Sequence, residues 1–107
     1  MSAQPARLRD LCKVIRSKNA GPFELTLDLL FERDGDFVRA QGSSALTRAT
    51  IARLYDVDPA AILGIIAYPP ARAIKITLKR KLASGTFGDT DVYGAQQHAP
   101  LLDLLID

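Results

Sequence analysis

One ten-residue stretch constrains this chain more than any other. From Phe23 to Glu32, the apolar residues Phe23, Leu25, Leu27, Leu29 and Phe31 alternate with Glu24, Thr26, Asp28, Leu30 and Glu32. A period of two sends successive side chains to opposite faces of a pleated strand. The pattern therefore predicts a strand with one core face and one mostly wet, acidic face, Leu30 being its single violation. Asp34-Gly35 ends it with turn chemistry. Such a strand must be paired and its apolar face covered. In a chain of 107 residues that implies a single domain, spanning 1–107, with one modest core.

The remaining segments are read around that strand. Residues 1–6 read as a frayed tail. Leu8 to Arg16, with Leu11, Val14 and Ile15 apolar, suits a strand, a helical turn near Leu8 being the alternative. Ser17-Lys18-Asn19-Ala20-Gly21-Pro22 reads as a break. Asp36 to Gln41 reads as a short helix capped by Asp36 and stopped by Gly42, with a second hairpin strand as the competing reading. Thr47 to Tyr55 is a better helix, with Thr47 as cap and Leu46 and Ile51 at staple positions. Asp58-Pro59 starts another short helix, running to Leu63 and stopped by Gly64. Ile65 to Tyr68 is a short apolar strand, broken by Pro69-Pro70-Ala71-Arg72. Ile74, Ile76 and Leu78 then alternate with Lys75, Thr77 and Lys79 in a second good strand, and a hairpin across the prolines joins the two. Leu101 to Ile106 suits a terminal strand. The order β-β-α-α-β-β-β predicts an α+β fold, a small, mainly antiparallel mixed sheet with two or three short helices on one face.

Fourteen basic and twelve acidic residues give a net charge of +2, which offers no reason to expect nucleic acid or a membrane surface as partner. No apolar run reaches about 18 residues and Met1 to Arg9 lacks a signal-type apolar core, so a cytoplasmic location is the default expectation. Cys12 stands alone in an apolar stretch, which favours a buried small hydrophobe over a nucleophile. Small size favours an oligomer, because one short sheet leaves an apolar face or an edge to cover.

Two polar stretches carry candidate chemistry. Arg16, Ser17, Lys18 and Asn19, placed in a turn, can form an anion-binding nest of backbone N–H groups with two cations beside it; the competing reading is a solvated basic turn. Gly88 to Pro100 gathers two carboxylates, a tyrosine, two amides and the single histidine. Asp89 and Asp91 point to one side of an extended segment, as acid–base work requires. His98 is the best proton carrier, and Tyr93, Gln96 and Gln97 offer donors and acceptors. In the competing structural reading, Asp89 or Asp91 caps a short helix through Tyr93 to Gln97. His98, Asp91 and Tyr93 are the catalytic candidates; Arg16, Ser17, Lys18, Asn19, Asp89, Gln96 and Gln97 are the ligand-binding or interface candidates. No spacing matches a metal-ligand set and no phosphate-loop or dinucleotide pattern is present, so neither metal nor cofactor is expected. Lys75, Lys79, Arg80 and Lys81 read as a charged solvent face on an edge strand.

Both polar stretches together resemble a known family. Arg16-Ser17-Lys18-Asn19-Ala20-Gly21-Pro22-Phe23, followed by Leu25-Thr26 and Asp28, is similar to the opening of short bacterial and archaeal proteins catalogued as a domain of unknown function. Gly88-Asp89-Thr90-Asp91-Val92-Tyr93-Gly94-Ala95-Gln96-Gln97-His98-Ala99-Pro100-Leu101-Leu102 resembles their ending. The resemblance implies a companion of larger AtuA-like (acyclic terpene utilisation) proteins, encoded beside them or fused to them. It implies a small subunit of a hetero-oligomeric catabolic enzyme acting on acyl-CoA esters or small organic acids, of hydratase, lyase or isomerase type. A stand-alone homo-oligomeric small-acid binder or enzyme is the alternative.

Overall fold

The structure is a computed structural model that describes residues 4–21, 23–79 and 99–107. The fold is α+β. Strands β1 (Ala6–Arg7), β2 (Cys12–Asn19), β3 (Glu24–Phe31), β4 (Ile62–Tyr68), β5 (Ala73–Lys79) and β6 (Leu105–Ile106) are joined by helices α1 (Leu8–Leu11), α2 (Asp34–Gln41) and α3 (Arg48–Tyr55). β2, β3, β5 and β4 form an antiparallel sheet in that spatial order, and β1 pairs with β6 in a separate two-stranded sheet.

The alternation in β3 is realised, and the register explains why it matters. Leu25, Leu27 and Leu29 lie opposite Leu78, Ile76 and Ile74 of β5, and all six are buried. Phe37 and Ala40 of α2 and Ile51 and Ala52 of α3 complete one buried cluster with them. Phe31 meets Phe37 edge to face, with ring centroids 6.0 Å apart, the arrangement favoured by aromatic quadrupoles. One face of the sheet is thus covered by helices; no element among the described residues covers the other.

Local signals placed several boundaries. Thr47 caps α3, its side chain accepting from the Thr50 N–H. α3 ends at Asp56, which adopts the left-handed conformation with φ 53°. The hairpin across the prolines also forms: Pro69–Ala71 make a 3-10 turn, and Arg72, at φ 49°, reverses the chain. Arg72 is also tied to the β3 end: the Phe31 N–H donates to its carbonyl, and its own Nε donates to the Phe31 carbonyl.

Other expectations are corrected. The chain does not break at Ser17; β2 runs on to Asn19 because its residues pair with β3 from Cys12↔Phe31 to Asn19↔Leu25. Leu8 to Leu11 make the helical turn, and the strand starts only at Cys12. Phe23 is not core; it lies in the turn before β3 and is 65% exposed. α2 begins at Asp34, with Arg33 rather than Asp36 at the cap position. The helix after Asp58 is one 3-10 turn ending at Ala61, and Gly64 lies within β4, beside a register shift between Ile62 and Gly64. β5 is not an edge strand, for it lies between β3 and β4. The inner end of the expected tail is held: Ala6 pairs with Ile106, and Arg39 donates to the Gln4 carbonyl.

Candidate functional site

The open face of the sheet is ordered in rows, set by register. Along one row Val14, Leu30, Ala73 and Tyr68 lie side by side across β2, β3, β5 and β4. In the next row lie Arg16, Asp28, Lys75 and Ile66. The third holds Lys18, Thr26, Thr77 and Gly64. Passing along the strands, the face changes from apolar, through charged, to cationic and hydroxylic. Eight of these residues, Arg16, Lys18, Asp28, Leu30, Ile66, Tyr68, Ala73 and Lys75, line a groove of about 400 Å³, within the range of about 300–1,000 Å³ that small-ligand sites occupy.

At the groove floor Asp28 is only 9% exposed. Arg16 Nε donates to its Oδ2 at 3.3 Å, and Lys75 is its cross-strand neighbour on the other side. A carboxylate held away from water needs such partners. Two rows further along, Glu24 and Lys79 also match opposite charges. Arg16, Lys18, Lys75 and Lys79 against Asp28 and Glu24 leave the described face with a cationic surplus. Thr26 Oγ1 donates to the Lys18 carbonyl at 3.3 Å, tying the third row together. Ile66 and Tyr68 remain 63% and 62% exposed, so apolar surface stands directly beside the cations.

The strand geometry divides the first sequence motif. Arg16 and Lys18 face the groove. Ser17 and Asn19, opposite Leu27 and Leu25, face the core side, and Ser17 is buried there. An anion nest is not formed, because an extended strand turns successive N–H groups to opposite edges and they do not converge. The cations remain available as side chains, not as a backbone cradle. Asp89, Asp91, Tyr93, Gln96, Gln97 and His98 lie outside the described residues. Asp28, Lys75 and Tyr68 are among the groove residues that sequence reasoning did not join to Arg16 and Lys18. The polar positions of the two alternating strands were the available signal, and cross-strand register was the missing information.

Cys12 lies off the groove at the start of β2, half-buried against the core. Burial, with Asp36 adding repulsion, pushes its thiol up to about 12. The thiolate is the reactive form, so native Cys12 is expected to alkylate at pH 8 on the order of a hundredfold or more slower than in the urea-unfolded chain. Iodoacetamide labelling followed by mass spectrometry measures this, and equal rates would refute the burial. Because the folded state keeps the proton more tightly, this group's contribution to stability is complete below pH 9 and is lost as pH rises towards 12. Burial likewise raises the Tyr55 hydroxyl. No group of metal-ligating side chains occurs among the described residues, and no helix among them is long and apolar enough to cross a membrane.

No curated protein and no solved structure matches the chain at a significant level. A family model does, over residues 8–105, and those bounds take in every strand of the four-stranded sheet. The chain therefore belongs to the family described as a domain of unknown function, DUF4387.

Proposed function

We propose that this chain is a small accessory subunit of a hetero-oligomeric catabolic enzyme, and that it lends a groove for an organic acid to a larger AtuA-like partner. The observation that carries this reading is the ordered open face. Lys18, in register with the Thr26 and Thr77 hydroxyls, and Lys75 one row away, suit the head of a carboxylate or phosphate ester. Leu30, Tyr68 and Ile66, one and two rows away, suit a short apolar tail. Asp28 neutralises part of the cationic charge, and the surplus left by Arg16, Lys18 and Lys75 favours an anionic ligand. A sheet face of this kind, half apolar and cationic at its rim, also fits an acidic partner surface that closes the groove from above. Hydration, elimination or isomerisation of acyl-CoA esters or small organic acids is the chemistry that such a complex would perform, with catalytic groups shared across the interface.

Two measurements test this. Co-expression with the AtuA-like protein, followed by affinity capture, should yield a stoichiometric complex. In that complex Lys18→Glu should weaken capture or hexanoate binding at least tenfold, a loss of one charge-assisted contact. A complex that forms but binds hexanoate and inorganic phosphate no better than the Lys18→Glu variant would remove the ligand role and leave only the subunit role. A homo-oligomeric small-acid binder is a second reading, favoured by the outer edge of β4, along which no strand lies among the described residues.

A further inference from the structure

The two edges of the four-stranded sheet are unlike. β2, at one end, carries Lys13, Arg16 and Lys18, all exposed; each edge strand has one irregularity in its pairing, between Cys12 and Val14 in β2 and between Ile62 and Gly64 in β4. Charges of this kind discourage a second strand from adding. β4, at the other end, reads Ile62-Leu63-Gly64-Ile65-Ile66-Ala67-Tyr68 and contains no charged residue and no proline. Leu63, Ile66 and Tyr68 are exposed on it. Among the described residues no strand lies along its outer edge.

Gly64 supplies an independent observation. It lies inside a strand, where glycine weakens pairing and offers nothing to pack. Among the described residues a Cβ there would meet only the Ile66 side chain, at 3.9 Å, and Gly64 does not have the positive φ that glycine alone adopts readily. Gly64 lies on the same face of β4 as Ile66 and Tyr68, two and four residues along the strand.

We propose that β4 pairs antiparallel with β4 of a second copy of this chain, about a two-fold axis at Ile66, giving a dimer with a continuous eight-stranded sheet. In that register Ile66 meets Ile66 of the second copy, and each Tyr68 ring covers the other chain's Gly64. Ile65 lies opposite Ala67 on the core side. Tyrosine across from glycine is a pairing in which the ring shields the bare backbone. A closed two-fold contact of this sort is isologous and uses the same strand twice, and the uncharged β4 sets no like charge against its copy. Pairing of the edges also covers the outward-facing backbone groups of β4 and places two grooves side by side on one face.

Light scattering on the purified chain tests the proposal. The chain is expected at twice 11.6 kDa at tens of micromolar, and Ile66→Lys is expected to run at the monomer mass with an unchanged circular dichroism spectrum, because Ile66 is exposed in the single chain. The register is tested by Ile66→Cys in a Cys12→Ala background. Opposed residues of an antiparallel pair lie within disulfide reach, so mild oxidation should give a covalent dimer, whereas Val38→Cys on the exposed side of α2 should not. A native chain that stays monomeric at every concentration, leaving the edge to a strand of another protein, would overturn the proposal. So would a dimer that Ile66→Lys leaves intact.

Discussion

Leu27→Ala is expected to lower the free energy of unfolding by about 3–5 kcal/mol, the cost of removing a buried leucine and leaving the space behind it. Leu27 is fully buried on the central strand, between Ser17 of β2 and Ile76 of β5. Hydrogen-bonded neighbours on both sides hold the strands in place, so the sheet cannot collapse into the gap. Against a total stability of about 5–15 kcal/mol for a domain of this kind, that change removes a large share. Val38→Ala, on the exposed side of α2, should stay within about 0.5 kcal/mol. Urea unfolding followed by circular dichroism compares them. A Leu27→Ala cost below about 1 kcal/mol would contradict the burial of this face.

Asp28→Asn and Lys75→Glu are expected to change acid binding in opposite directions. Asp28 competes with an incoming anion for Arg16 and Lys75. Removing its charge while keeping an acceptor for Arg16 should tighten hexanoate binding on the order of tenfold, since one nearby charge contributes on the order of 1–2 kcal/mol at a partly exposed site. Lys75→Glu removes a cation and adds an anion, two such steps, and should weaken binding on the order of a hundredfold. It also sets a carboxylate opposite Asp28, a cross-strand like-charge pair that destabilises the sheet by up to about 1 kcal/mol. Both binding effects should fade as salt is raised. Calorimetric titration of each variant at low and high salt reads all of this; equal affinity in the two variants would show that the acid does not bind at this row.

The asymmetry between the two faces of β3 explains which expectations held. The core side repeats with the period of the strand itself, so Leu25, Leu27, Leu29 and Phe31 could be identified from their own spacing, and all are buried. The wet side could not. Thr26 and Asp28 were expected in water and are buried, because β2 and β5 flank them with long side chains. Ser17-Lys18-Asn19 has turn composition, yet it continues a strand, since seven residue pairs with β3 outweigh a weak local preference. Lys75 was read as edge protection; pairing on both sides made β5 an inner strand, and its lysine a wall of the groove.

By itself, then, the sequence determined the α+β class, the two alternating strands, the α3 helix with its Thr47 cap and the hairpin over Pro69 and Pro70. Each is written in residues a few positions apart, where periodicity, capping and turn chemistry act. Only the tertiary structure decided which strands are neighbours. That choice brought Arg16, Asp28, Lys75 and Ile66 into one row although 59 positions separate Arg16 from Lys75, left one face uncovered by the described elements and put the uncharged β4 at the edge among them. Register between distant strands is set by the packing of the whole core and the closure of the intervening loops, and no local pattern encodes it.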